Sequence, residues 1–173
     1  MSQATKDWIK EIVLAILIGL IILQFVKPTI VRGHSMMPTL DEQDYIFLSR
    51  QAYTFEDPEY GDIVVFQSDL KTPDGKEKLL IKRVVGLPGD VIRIDKGKVF
   101  RNDKPLSERY TLEQYTSTVM EDVTVPEDRL FVMGDNRQGS TDSRDAEVGC
   151  VEQKRLVGKA FLRLYPFHKI SFL

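Results

Sequence analysis

The chain has 173 residues, 42% hydrophobic and 29% charged, with a formal net charge of −2. That is room for one domain plus an appendage, and it excludes the basic face that a nucleic-acid binder needs. A single cysteine, Cys150, excludes an internal disulfide and a thiolate metal cluster, and two histidines, His34 and His168, exclude a three-histidine zinc site.

The first element is apolar. Ile12 to Val26 reads IVLAILIGLIILQFV, fifteen residues without a charge. With Trp8 and Ile9 the stretch approaches the ~20 residues that cross a bilayer. Lys10 can snorkel to the interface and Trp8 suits the headgroup layer. A membrane anchor is therefore expected over residues 1–27, with Pro28 ending the helix. Two other readings stand beside it. A cleaved secretory signal has the right apolar length, but the run leads into Lys27-Pro28-Thr29 with no small-x-small site. A buried core helix fits poorly with a run apolar on all faces. Charge does not orient the anchor: Lys6 and Lys10 precede it, Lys27 and Arg32 follow.

After Pro28 the pattern turns to short β-type runs: Tyr45–Leu48, Asp62–Phe66, Leu79–Val85, Leu130–Met133 and Gly158–Leu164. Val91–Ile94 and Lys98–Phe100 face each other across Asp95-Lys96-Gly97, which predicts a tight hairpin. Pro73-Asp74-Gly75, Leu87-Pro88-Gly89-Asp90 and Arg101–Pro105 are turn signals. The expected fold is one mainly antiparallel β domain over residues 28–173 behind a single transmembrane helix. Residues 101–125 are more polar, fit the core pattern least, and read as a small excursion or a sub-domain.

Four segments carry chemistry. Gly33-His34-Ser35-Met36-Met37-Pro38-Thr39-Leu40 places a serine just after a glycine-containing turn, where backbone N–H groups can converge beside a nucleophile. Met36 and Met37, flexible and apolar, suit a substrate groove or a lipid surface. Lys82 lies in an apolar strand; desolvation lowers its pKa from ~10.4, and a drop of about three units costs about 4 kcal/mol but yields a neutral amine. Arg83 is expected to point to the opposite sheet face. Gly134 to Arg144, GDNRQGSTDSR, crowds short polar residues, two arginines and two aspartates after an apolar strand, and can form Asp–Arg pairs. It fails as an EF-hand: counting from Asp135, Arg137 holds the third position and Ser140 the glycine position. Gly61-Asp62 opens a strand. Taken singly, each segment also reads as ordinary loop or strand. A histidine base is disfavoured, because His34 adjoins Ser35 in sequence and His168 has no aspartate beside it.

Together the span, GHSMMPTL, YGDIVVF, IKRVVGLPGD and GDNRQGSTDSR resemble the bacterial type I signal peptidases in content, order and spacing, over residues 12 to about 165 except the stretch 101–125. The resemblance implies a serine endopeptidase with Ser35 as acyl-forming nucleophile and Lys82 as general base. Ser140 would orient the Lys82 amine, and Asp142 and Arg144, with Asp135 and Arg137, would hold the loop that positions Ser140. Gly33 stands where some members carry a serine, so the oxyanion hole is expected from backbone alone, at Ser35 and Gly33. The short middle implies that the second domain of the larger enzymes is nearly absent, and the single span resembles the Gram-positive arrangement. The implied substrates are signal peptides of secretory preproteins, cut after small-x-small sequences and bound as an added strand. The implied setting is the cell membrane, with lipid and the secretion translocon nearby, the N-terminus cytoplasmic and the domain outside. No cofactor, metal or nucleic acid is implied. A repressor-type Ser-Lys autoprotease shares the chemistry but carries a DNA-binding domain where this chain has an apolar span. A membrane-tethered peptide-binding module explains the anchor and sheet but not the serine and lysine.

Overall fold

The computed structural model describes residues 3–173; the first two residues of the expected cytoplasmic tip lie outside it. Helix α1 (Gln3–Phe25) forms over the Leu- and Ile-rich run, which holds no proline. Its stretch Thr5–Phe25 is apolar and long enough to cross a bilayer, about 32 Å at 1.5 Å per residue. Leu14, Leu17 and Leu20 are all exposed, and none of the helix's described side chains belongs to the domain core. The chain leaves the helix at Phe25, before Pro28. Proline pushes the residue before it out of the α region, so Lys27 is already extended.

Twelve strands follow among the described residues: β1 (Val26–Ile30), β2 (Tyr45–Ser49), β3 (Ile63–Lys71), β4 (Glu77–Gly86), β5 (Val91–Asp95), β6 (Lys98–Arg101), β7 (Lys104–Pro105), β8 (Met120–Thr124), β9 (Arg129–Met133), β10 (Val151–Glu152), β11 (Leu156–Tyr165) and β12 (Ser171–Phe172). The large sheet runs β1-β2-β11-β3-β4-β9-β10, with β12 also on β11. Every pairing is antiparallel. Pro28 sits opposite Phe47 on the edge strand β1, where a missing N–H is tolerated. The strand β1 was not expected: with a proline at its centre and only five residues, it has no clear alternation to read.

A smaller sheet, β7-β6-β5-β8, packs against the first. The β5–β6 hairpin turns at Lys96 and Gly97, both at positive φ, as the two-residue hairpin geometry requires. A Cβ on Gly97 would also run into the Tyr115 ring. Residues 101–125 supply β7 and β8 to this second sheet. Its core joins that of the large sheet through β9. Leu130 and Val132 face Val64, Phe66 and Val84 on one side, while Phe131 and Met133 face Val85, Ile92, Ile94 and Val99 on the other. With both faces covered, truncating Phe131 to alanine removes on the order of 3–5 kcal/mol. The opposite face of the large sheet packs Ile46, Leu48, Ile63 and Val65 against Val31, Met36 and Leu40, and so anchors the segment that carries Ser35.

Candidate active site

Met36 and Leu40 fix the Ser35 segment from below. The Leu40 amide donates to the Met36 carbonyl at 2.9 Å and closes a turn whose Met36 and Leu40 side chains are both buried in the same cluster. Met36 is only 1% exposed. It is therefore a core residue and not part of a substrate or lipid surface. The alternation that hides Met36 leaves Ser35 and Met37 half-buried.

The Lys82 Nζ lies 2.7 Å from the Ser35 Oγ and 2.9 Å from the Ile81 carbonyl oxygen, across 47 residues of sequence. Lys82 is 2% exposed. Burial is the main cause that pushes its ammonium down, to about 8; the Asp142 carboxylate pulls the other way, while Lys78 and Arg144 add to the lowering. With that value roughly a tenth of the amine is neutral at pH 7 and most of it above pH 8, and the neutral form has a lone pair for the serine hydroxyl. The alternation of β4 separates the two adjacent cations. Arg83 turns instead to Asp135, with Nε at 2.8 Å and a terminal nitrogen at 2.7 Å from its two carboxylate oxygens.

The Gly134–Arg144 loop closes over the pair. The Asn136 amide donates to the Ser35 carbonyl at 3.0 Å and the Asn136 side chain to the His34 carbonyl at 3.2 Å. Gly134 has no room for a side chain: a Cβ there would meet both the Ser140 hydroxyl and the Ser35 carbonyl oxygen. Asp142 is fully buried and organises the loop. It accepts from the Gly134 amide, the Ser140 hydroxyl and two nitrogens of Arg144. Burial pushes its carboxyl up, but the Arg144 hydrogen bonds and charge outweigh that and hold it below the usual carboxylate range.

Several placements differ from expectation. The Ser140 hydroxyl donates to Asp142 at 2.7 Å and makes no hydrogen bond to Lys82 among the described residues. Gly33 turns its amide to Glu42, at 3.3 Å. Asp135 pairs with Arg83 and the Thr39 hydroxyl rather than inside its own loop, and Arg137 pairs with Glu108. His34 faces Glu42 at 3.4 Å and His168 is exposed, so neither stands behind the serine.

Beside Ser35 runs a cleft of about 680 Å³. It is lined by Thr29–His34 and by Leu79–Lys82, together with Ile46 and Val65. An open cleft of this size, bordered by strand residues of β1 and β4, suits an extended peptide.

The family model described as "Signal peptidase, peptidase S26" matches residues 5–165. The chain belongs to the signal peptidase family. Among curated relatives in that family, the probable signal peptidase I-1 of Synechocystis is 36% identical over 170 residues, covering 95% of this chain and 84% of its own. The signal peptidase I of Bacillus amyloliquefaciens is 34% identical over 179 residues, covering 98% and 92%. The crystal structure of a signal peptidase I from Enterococcus faecalis aligns at 31% identity and a TM-score of 0.47, over 60% of this chain and 97% of that one. Membership makes this chain a serine endopeptidase, a hydrolase of the S26 type.

Thr39, Glu42, Glu108 and Tyr110 are site residues that sequence reasoning missed. Thr39 and Glu42 sat within or beside the serine motif, where a polar side chain next to a turn is itself a signal. Glu108 and Tyr110 lay in the stretch with no readable period.

Proposed function

We propose that this signal peptidase removes signal peptides from secretory preproteins, with Ser35 as nucleophile and Lys82 as general base. The observation that carries the reading is the 2.7 Å contact between the Ser35 hydroxyl and a buried lysine amine, at the end of a peptide-sized cleft.

The substrate lies between Thr29–His34 and Leu79–Lys82 as an added strand. The neutral Lys82 amine takes the proton from the Ser35 hydroxyl as its oxygen attacks the scissile carbonyl. The Ser35 amide donates to the oxyanion that forms. The Lys82 ammonium then returns its proton to the leaving amine, and the acyl group stays on Ser35. A water, deprotonated by the neutral amine, releases the new carboxylate and restores the hydroxyl. Ser140, held by Asp142, packs beside Gly134 and limits where the serine and lysine can move.

The anchor comprises the chain up to Phe25, and the catalytic domain begins with β1, whose pairing to β2 makes Val26 and Lys27 part of the sheet. The N-terminus is cytoplasmic and the domain lies outside, close to the lipid surface and to the translocon from which preproteins emerge. The test is incubation of the detergent-solubilised protein with one secretory precursor, followed by mass analysis of the products. A single cut after a small-x-small sequence is expected. Replacing the small residue before the cut by leucine is expected to lower cleavage by about 100-fold, because the larger side chain meets the Val31, Val65 and Ile81 side chains that line the cleft beside the serine. Equal cutting of both precursors contradicts the assignment of the cleft.

A further inference from the structure

The segment 106–119, between β7 and β8, contains no helix or strand, yet it contacts the active-site loop repeatedly and also packs on Arg83 of β4. Glu108 receives both terminal nitrogens of Arg137, at 2.9 and 2.6 Å. The Tyr110 ring lies 4.2 Å from the guanidinium carbon of Arg83, the residue that holds Asp135. The Leu112 amide donates to the Asp135 carbonyl at 3.0 Å.

These grips converge on Gly134 to Arg137. The Arg137 side chain is 1% exposed, and its Nε donates to the Gly134 carbonyl at 3.0 Å. Gly134 abuts the Ser140 hydroxyl and the Ser35 carbonyl oxygen, and Asn136 donates to that same oxygen. The path from the Glu108 carboxylate to the Ser35 backbone is thus Arg137, then the Gly134–Asn136 peptide units. Stability alone does not call for such a pair, because a well-packed apolar pair in place of a buried ion pair is often as stable or more so. A guanidinium fork on a carboxylate contributes direction instead: it fixes two planar groups in one geometry.

We propose that segment 106–119 is a clamp on the active-site loop, and that Glu108 is a positioning residue that acts through Arg137 on the backbone holding Ser35. This rests on the reading of Ser35 as nucleophile.

Full-length, detergent-solubilised variants are compared on one secretory precursor, with kcat and KM read separately and thermal unfolding followed in parallel. Glu108→Ala is expected to lower kcat about 10- to 100-fold with KM within about twofold, because displacement of reacting groups costs turnover and not ground-state binding. Glu108→Gln keeps a carbonyl acceptor for the fork and is expected to recover kcat to within about threefold of wild type. If Glu108→Ala does not fold, the double variant Glu108→Leu with Arg137→Met removes both charges together, and the same fall in kcat is expected. A folded Glu108→Ala, or double variant, with wild-type kcat overturns the proposal, as does a loss of activity confined to temperatures where the variant unfolds. Failure of the underlying reading shows separately, as an active Ser35→Ala enzyme in the same assay, and it removes the proposal with it.

Discussion

Ser35→Ala is expected to lower precursor cleavage by about ten-thousand-fold or more while the protein remains folded. Removing the nucleophile of a two-group unit eliminates the acyl route entirely, and what remains is binding and the oxyanion donor. The folded state loses little. Ser35 is half-buried, and among the described residues its hydroxyl bonds to Lys82, which keeps a second partner in the Ile81 carbonyl. Denaturant unfolding in detergent is expected to agree with wild type within about 1 kcal/mol. A Ser35→Ala protein that still cuts at the same peptide bond removes the serine from the mechanism.

Lys82→Met is expected to be equally inactive and, near neutral pH, more stable than wild type. The sign follows from the lowered pKa. Lys82 titrates at about 8 in the folded protein against 10.5 when free, so below pH 8 both states carry the proton and the folded state bears a buried ammonium. Between pH 8 and 10.5 the unfolded chain binds more protons than the folded one, and stability rises with pH; above 10.5 the penalty is gone. At pH 7 that penalty is on the order of 3 kcal/mol. Methionine fills similar volume without a charge but gives up the contacts to Ser35 and Ile81, so a net gain of about 1–3 kcal/mol is expected. The gain shrinks as pH approaches 10.5. A Lys82→Met variant that is less stable than wild type at pH 7 would mean that the lysine is not held under strain by burial.

That tension between stability and chemistry explains why Lys82 was readable in the sequence. A lysine between Leu80, Ile81 and Val84 breaks the apolar pattern of a core strand, and such a break marks either an edge or a site. The strands themselves are legible wherever apolar residues run or alternate between turn signals, as at Tyr45–Leu48 and Val91–Ile94. β1 is not, because Pro28 masks it, and neither are the two-residue strands β7, β10 and β12, which are too short to show a period.

Within the site, residue types were more legible than partners. GDNRQGSTDSR holds two aspartates and two arginines, and the natural expectation is that they pair locally. Asp142 and Arg144 do. Asp135 and Arg137 instead reach Arg83 and Glu108, 52 and 29 residues away, because the loop lies between β9 and the 106–119 segment and its side chains go out to both. No local pattern encodes that choice; it depends on how the two sheets meet. Met36 shows the converse error. Its neighbours in GHSMMPTL suggested an exposed pair of methionines, whereas the spacing Val31, Met36, Leu40 is the inward side of a turn that packs on Ile46 and Ile63.

The central claim is that a neutral lysine amine activates the serine, and the pH dependence of kcat/KM tests it most directly, since this ratio reports ionisations of the free enzyme. On one precursor, with a pH-indifferent detergent, the rate is expected to rise through a single ionisation near pH 8, where burial has placed the Lys82 amine. The same profile is expected in His34→Ala and His168→Ala, since among the described residues the Ser35 hydroxyl is hydrogen-bonded to Lys82 and His34 turns to Glu42. A rise centred on about 6.5 that vanishes with one of those histidines, or a rise deferred to the free-lysine value near 10.5, contradicts the account.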